Sequence, residues 1–278
     1  MDKSVLAEKI YESIKKSGKY STVYEGTVRK IIDTMINRFG KEKEIEKNVK
    51  KKLHQVYGAY QVSGTRFKGS SFNSGRENDG FVAVKGNWDE MVDKLLRGHV
   101  STAERMGFYS GFYEKIFEAV GGHGKKYKIY DAACGFNPFS AFYFKDVVEV
   151  YHCSDIDVEL NENLNQFFKS AGLENFSSSN KDLTVDEINF AEYDVVFLFK
   201  TLSCIEREEK GSAKTILQNA LSAKHVVVSF PSKSIGGREK GMAENYAAFL
   251  ETLIEGMGVN KINLVFPNET VYILSKPD

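Results

Sequence analysis

Apolar residues near the start of the chain recur at spacings of three and four: Val5, Ile10 and Ile14, then Val28, Ile31, Ile32 and Met35. Such spacing gathers them on one stripe of a helix, predicting amphipathic helices over 4–16 and 26–39 and a third from Glu42 to about Tyr60. The period then disappears. From Val62 to Asn87 the chain is rich in Gly, Ser and Asn, which predicts a flexible loop or linker too long for an ordinary connection. Helical spacing returns from Trp88 to about Ala119. Beyond Lys125 short apolar runs alternate with helical stretches. Strands are predicted at 127–132, 148–154, 194–199, 224–230, 262–266 and 270–275, with a weaker one near 176–181. Helices are predicted at 138–146, 157–170, 206–221 and 239–256. That alternation builds an α/β fold with a mainly parallel sheet covered on both faces. Only Pro267, Asn268 and Glu269 separate the last two strands, so a hairpin is expected there and the final strand should run antiparallel.

With 278 residues there is room for one large α/β domain, expected over 99–278, preceded by a smaller helical one over 1–98. The apolar share of 42% and charged share of 27% are those of a soluble globular protein. No apolar run approaches the roughly 18 residues of a membrane span, and the start lacks the apolar core of a signal peptide. Three cysteines without a C-x-x-C pair point to a reducing cytoplasm and no zinc site; Cys134 and Cys153 read as buried, inert thiols. Charge adds more. The formal net charge is zero, yet residues 1–60 carry 14 Lys/Arg against 8 Asp/Glu, leaving 24 against 30 for the remainder. A basic front on an acidic body suits a polyanion met by the N-terminal part, although a solvated helical surface would give the same counts.

The stretch from Tyr127 to Asp157 carries the main chemical signal. It reads as strand, tight turn at Ala133-Cys134-Gly135, helix, and a second strand closed by an acid at Asp155. A turn of small residues lets a ligand approach backbone N–H groups at a helix start, and an acid placed about 20 residues on suits a ribose diol. Neither Gly-x-Gly-x-x-Gly nor a glycine loop followed by Lys-Ser/Thr is present, so phosphate cradling is poorly supported. A nucleoside without phosphates fits better, and S-adenosylmethionine is the commonest. Six parallel strands with one antiparallel insertion also describe a Rossmann-like S-adenosylmethionine-dependent methyltransferase sheet. Asp182-Leu183 follow the third strand, where such folds place an acid for the adenine amino group. His99 to Arg105 reads as a helix start, with Ser101 or Thr102 capping, Glu104 completing a capping box, and Arg105 free to clamp a carboxylate by two parallel hydrogen bonds. Lys200 ends a wholly apolar strand, at the edge that faces ligands in open α/β sheets. Ser229 to Met242 also leaves a strand at that edge, with Lys233, Arg238 and Lys240 among glycines. Those cations suit a phosphate backbone, and Tyr246 could equally stack on an exposed base or pack in the core.

Six motifs, in order and spanning nearly the whole chain, carry a family resemblance. They are Lys-Lys-Leu-His-Gln-x-Tyr-Gly-Ala-Tyr (51–60), Ser-Thr-x-Glu-Arg (101–105), Asp-x-Ala-Cys-Gly-x-Asn-Pro (131–138), Ser-Asp-Ile-Asp (154–157), Phe-Lys-x-Leu (199–202) and Ser-Phe-Pro-x-Lys-Ser-x-x-Gly-Arg-x-Lys-Gly-Met-x-x-Asn-Tyr (229–246). The chain resembles the aminoglycoside-resistance 16S rRNA (guanine-1405-N7) methyltransferases. The resemblance implies a cytoplasmic enzyme that takes its methyl group from S-adenosyl-L-methionine and acts on 16S rRNA within the 30S ribosomal subunit, as a monomer. It places cofactor contacts at His99, Val100, Ser101, Arg105, Ala133, Gly135, Asp155, Ile156, Asp182, Leu183 and Phe199, with Tyr60 closing the pocket and Glu209 standing where the family has Gln. It makes the helical N-terminal domain the rRNA-docking surface, densest in charge at Lys50, Lys51 and Lys52. Lys200, Lys233, Arg238 and Lys240 are then phosphate clamps. The Gly/Ser/Asn insertion at 62–87 departs from the family pattern.

Guanine N7 carries an unprotonated lone pair, so no general base is expected, and catalysis should come from positioning and exclusion of water. Extruding the target base from its helix costs a few kcal/mol, which backbone contacts would offset. Other classes remain compatible with the chain: a methyltransferase acting on another RNA base or a small molecule, an inactive ribosome-binding homologue and, more distantly, a nicotinamide dehydrogenase.

Overall fold

The computed structural model describes residues 2–58, 88–122, 124–232 and 241–277. The 62–87 insertion, Tyr60, Lys233, Arg238 and Lys240 lie outside the described residues. Three helices open the chain: α1 (Lys3–Lys16), α2 (Glu25–Ile36) and α3 (Glu42–Leu53), the last running into a π-helical turn (His54–Gly58). Asp2 caps α1 by accepting the Ser4 N–H at 3.1 Å. The apolar stripe of each helix meets the others, and Ile10, Ile14, Val28, Ile32, Ile45, Val49 and Leu53 form a small core of their own.

The remainder is organised about one seven-stranded sheet. Helices α4 (Trp88–Arg97), α5 (Val100–Ala103) and α6 (Tyr109–Val120) precede β1 (Tyr127–Ala132). Then follow β2 (Val148–Asp155), α7 (Val158–Ser170), β3 (Phe176–Asn180), β4 (Val195–Phe199), α8 (Leu202–Glu208), α9 (Ser212–Ala220), β5 (His225–Pro231), α10 (Met242–Ile254), β6 (Asn260–Phe266) and β7 (Glu269–Ser275). The strand order is β3-β2-β1-β4-β5-β7-β6. Strands β1 to β5 pair in parallel, while β7 runs antiparallel to both β5 and β6. The expected hairpin and the single antiparallel strand are therefore present.

Alternation along the strands sorts side chains onto two faces. Ile129, Val195, Phe197, Val227, Val271 and Ile273 enter an aromatic-rich core beneath α4, α6 and α7. Their neighbours Tyr130, Val196, Leu198, Val226, Val228, Tyr272 and Leu274 enter a second core beneath α9 and α10. Helix α4 packs with the first of these through Val92, Leu95 and Leu96.

Two predicted helices take a different form. Residues 138–146 fold as 3₁₀ turns, Asn137–Tyr143 and Lys145–Val147. Pro138 opens the first, and the Ser140 hydroxyl donates to Asn137 O at 2.6 Å, competing with an α-helical ladder. The predicted helix 206–221 is two helices broken at Gly211, whose φ of 89° no helix accommodates. The Glu206 carboxylate accepts the Gly211 N–H at 2.9 Å and restarts the chain as α9.

The three-helix unit sits across the carboxyl edge of the sheet. Tyr24 N–H donates to Ile156 O at 2.7 Å, and Val158 N–H donates to Thr22 O at 2.9 Å. The Lys52 ammonium reaches the Glu208 carboxylate of α8 at 2.5 Å. The space enclosed between unit and sheet edge is the site described next. Among the described residues no helix is long and apolar enough to cross a membrane.

Candidate active site

A cavity of about 1410 Å³ lies between the carboxyl ends of β1, β2 and β4 and the N-terminal helices. Its inner end is built on the β1 turn. Ala133 (φ 51°) and Gly135 (φ 50°) both adopt the left-handed conformation, and Cys134 N–H donates to Ser154 O at 2.9 Å. That geometry turns the Gly135 N–H onto Asp155 Oδ2 at 2.9 Å, while Asp157 N–H holds Oδ1 at 3.0 Å. Asp155 is thus fixed by two backbone donors and keeps acceptor capacity toward the cavity. Burial raises its carboxyl to about 6, against the lowering effect of those donors.

The neighbouring wall comes from α5. His99, not Ser101 or Thr102, caps this helix: its Nδ1 accepts the Ser101 N–H at 3.3 Å. The capping-box reading is therefore corrected, and the Thr102 hydroxyl instead donates to Leu96 O at 2.5 Å. Burial, with Lys200 and Arg105 nearby, depresses the His99 imidazole to about 4, so near neutral pH it is uncharged and carries its proton on Nε2. Its ring lies against Phe136, centroids 5.4 Å apart.

Arg105 does not present an open fork. Its Nε and Nη2 donate to the two oxygens of Glu269 at 2.7 and 2.5 Å, and Nη1 donates to Asn137 at 2.8 Å. Both partners of the ion pair are essentially fully buried, and the guanidinium carbon also lies 4.6 Å from the ring centroids of both Phe112 and Phe199, two rings that pack against each other. The expectation of a bidentate clamp on a ligand carboxylate is corrected, because Glu269 already occupies that fork. Burial alone would raise Glu269, but Arg105 and Lys200 hold its carboxyl below the usual range.

Lys200 is equally committed. It is a second non-glycine residue in the left-handed region (φ 56°), with its N–H on Ser229 O at 3.0 Å. Its ammonium contacts Glu104 at 2.5 Å and Glu269 at 3.7 Å, with the side chain only 10% exposed. A buried, doubly paired lysine is poorly suited to a phosphate clamp, and that assignment is corrected. Beneath the network, Asn137 donates to Asp131 Oδ2 at 2.8 Å and Tyr151 donates to the same oxygen at 2.6 Å. Asp131 Oδ1 is buried with no partner among the described residues.

Of the remaining sequence candidates, Val100, Ser101, Ile156, Asp182, Leu183, Phe199 and Glu209 also line the cavity. Glu209 is paired with Lys30. Tyr246 lines the outer part with one ring face stacked on Phe230, centroids 5.0 Å apart, so at most its other face can meet a base. In the basic cluster, Lys50 pairs with Glu46 at 2.6 Å and stays off the cavity, whereas Lys52 ties α3 to α8. Lys51 is the member of the cluster left without an ion pair among the described residues; it lines the cavity, as do exposed Arg38 and Lys210. These three form no ion pair among the described residues.

Sequence reasoning missed Glu104, Asn137 and Glu269 as members of this network. An acid starting an apolar strand was a usable signal for Glu269. Once β7 is antiparallel, its first residue lies at the ligand edge beside Pro231.

A parallel sheet with one antiparallel strand inserted next to its edge, and a cleft over β1 and β2 whose inner end carries a ribose-type acid, define a Rossmann-like methyltransferase. The model of the ribosomal RNA methyltransferase (FmrO) family matches residues 16–273. The chain belongs to that family. It is 33% identical over 97% of each chain to a protein of Proteus mirabilis named 16S rRNA (guanine(1405)-N(7))-methyltransferase. A protein of the same name from Micromonospora echinospora is 31% identical, with 97% of this chain and 96% of that one covered. Among solved structures, the 16S rRNA methyltransferase RmtF in complex with S-adenosyl-L-homocysteine superposes with a TM-score of 0.77 at 24% identity, covering 100% of both chains. An rRNA methylase from Escherichia coli gives 0.74 at 25% identity, covering 98% of this chain and 100% of that one.

The buried network sets a pH dependence. Burial raises the Asp131 carboxyl to about 7, against the lowering effects of Tyr151, Asn137 and Arg105, whereas an unfolded Asp titrates at about 4. Between those values the folded chain holds a proton the unfolded chain has lost, so stability falls as pH rises through this window. Urea unfolding at pH 5 and pH 8 should show the parent losing on the order of a few kcal/mol more than Asp131→Asn across the interval. Equal losses in the two proteins would contradict the assignment.

Proposed function

We propose that this chain transfers a methyl group from S-adenosyl-L-methionine to N7 of guanine 1405 of 16S rRNA, working in the cytoplasm as a monomer on the 30S subunit. The observation that carries the reading is the Gly135–Asp155–Asp157 arrangement in a cleft that the exposed cations Arg38, Lys51 and Lys210 also line. Relatives bearing that activity in their names match nearly the full length of the chain.

The residues fit the cofactor chemically. Asp155 offers two fixed oxygens to a ribose diol, Ile156 and Leu183 offer apolar faces to a purine, and Asp182 offers an acceptor for an exocyclic amine. His99, Val100, Ser101, Ala133 and Phe199 complete the wall, with Tyr60 assigned to closure. Arg105 retains one N–H on each of Nη1 and Nη2, so a carboxylate can meet it only at the Nη end and not along the Nε–Nη2 edge that Glu269 holds. When bound, S-adenosylmethionine supplies a methyl group on a sulfonium. In the network, Arg105 and Lys200 are balanced by Glu104 and Glu269, and Asp155, Asp157 and Asp182 add acidic groups to the cleft wall that would suit a cationic cofactor. N7 donates a lone pair without losing a proton. The protein's task is therefore to hold the base in line, keep water out and place no free cation against a guanine that becomes positive. Committing Lys200 to two carboxylates serves the last requirement. The added methyl and charge at the decoding site would then block aminoglycoside binding.

The N-terminal helical part, residues 1–98 as the boundary is proposed, docks on rRNA phosphates. Lys51 and Arg38 carry that role among its described residues, joined by Lys210 between α8 and α9, and Lys233, Arg238 and Lys240 are assigned further phosphate contacts.

The direct test incubates the purified protein with 30S subunits and S-adenosylmethionine and maps the new mass on 16S rRNA. One added methyl at guanine 1405 is expected, and a methyl on any other nucleotide, or none, would overturn the reading. Asp155→Ala should remain folded by circular dichroism yet lose cofactor binding by calorimetry; unchanged affinity would remove the ribose assignment. The double variant Lys51→Glu, Arg38→Glu should weaken 30S binding while leaving cofactor affinity intact. It should lower the slope of log affinity against log salt by about 1 per lost phosphate contact. An unaltered slope would place the rRNA surface elsewhere.

A further inference from the structure

The end of the cavity assigned to adenine is walled partly by the N-terminal unit. Tyr24, Thr27 and Lys30 form a face that meets the loop after β3. The Thr27 hydroxyl, on a residue only 4% exposed, donates to Asp182 Oδ2 at 2.7 Å. On the other oxygen, Oδ1 accepts the Thr184 N–H at 2.8 Å and the Thr184 hydroxyl at 2.6 Å. The flanking contacts repeat the theme. Tyr24 OH donates to Asp186 at 3.2 Å, the other Asp186 oxygen holds Asp182 N–H at 2.8 Å, and Lys30 reaches Thr184 O at 3.3 Å. Ile156, on the neighbouring loop, packs its side chain against the N-terminal core.

A carboxylate offers about four acceptor positions. At Asp182 the two on Oδ1 are taken by Thr184 and one on Oδ2 by Thr27, which leaves a single acceptor of fixed direction. We propose that Thr27 is a positioning residue that orients the Asp182 carboxylate so that its last free acceptor reads the 6-amino group of the cofactor's purine. This rests on the cofactor reading above and deepens it, naming a residue of the N-terminal unit as part of the nucleoside-specificity site. A 6-oxopurine sets an acceptor against that oxygen and is rejected, because neither group then has a hydrogen to share. Without the Thr27 hydroxyl the carboxylate can turn about its remaining anchor and take water, and the preference for the amino group is lost.

Calorimetry with S-adenosylhomocysteine and S-inosylhomocysteine, on the parent, Thr27→Val and Thr27→Ser, tests this. The parent should bind the adenosyl compound at least about tenfold more tightly than the inosyl one. In Thr27→Val the adenosyl affinity should fall about tenfold with the inosyl affinity unchanged, and Thr27→Ser should restore the preference. A valine variant that keeps the preference overturns the proposal, as does a serine variant that fails to restore it. An equal loss of both affinities makes Thr27 merely structural and also overturns it. A parent that binds both compounds equally removes the Asp182 assignment and the proposal with it, leaving the cofactor reading in place. A parent that binds neither overturns the cofactor reading itself.

Discussion

The Gly135 N–H on the Asp155 carboxylate is the interaction from which the rest of the site is laid out. It can form only because Ala133 and Gly135 take left-handed backbone conformations, which turns the β1 loop toward the end of β2 rather than into a regular helix start. Once Asp155 is held from that side, the Asp157 N–H holds it from the other, and Asp157 is in turn bonded by Tyr57 of the N-terminal unit at 3.0 Å. The β2 loop is thereby stretched between two bodies. The same is true of the β3 loop through Thr27 and Asp182. A nucleoside cleft on a bare sheet edge would be open to water along one side; here that side is closed by helices with a separate hydrophobic core.

Behind the cleft lies a set of charges expensive to bury singly and tolerable together. Arg105 and Glu269 are almost inaccessible, and Lys200 nearly so. Removing one member of such a pair leaves an uncompensated charge, which costs about 3–5 kcal/mol. The neighbouring Phe112 and Phe199 rings give the guanidinium a further favourable surface. This network holds the β4 end, the α5 helix and the start of β7 in fixed relation. The surfaces that contact a ligand can therefore be rigid although several of them are loops.

Much of this was legible from sequence because it follows from local pattern. Helical spacing in the first three helices, apolar runs in the strands, and the short Pro267-Asn268-Glu269 connection specified the sheet and its antiparallel strand. The small-residue turn and the acid at Asp155 were visible for the same reason, since both requirements fall on a short stretch of chain. What the pattern could not disclose were pairings made across the fold. Arg105 meets an acid 164 positions away, and nothing near Arg105 marks its fork as occupied. Lys50, Lys51 and Lys52 look alike in sequence, yet only the helix orientation decides which faces a carboxylate and which faces the cleft. Thr27 reads as an ordinary polar residue of an amphipathic helix until the β3 loop is seen against it.

The claim that the cofactor lies in a cleft shared by the sheet edge and the N-terminal helices is tested most directly by hydrogen exchange with and without S-adenosylhomocysteine. Residues 22–30 of the N-terminal unit should gain protection together with 133–136, 155–158 and 182–186 of the sheet loops. Protection confined to the sheet loops, with 22–30 unchanged, would contradict a shared site.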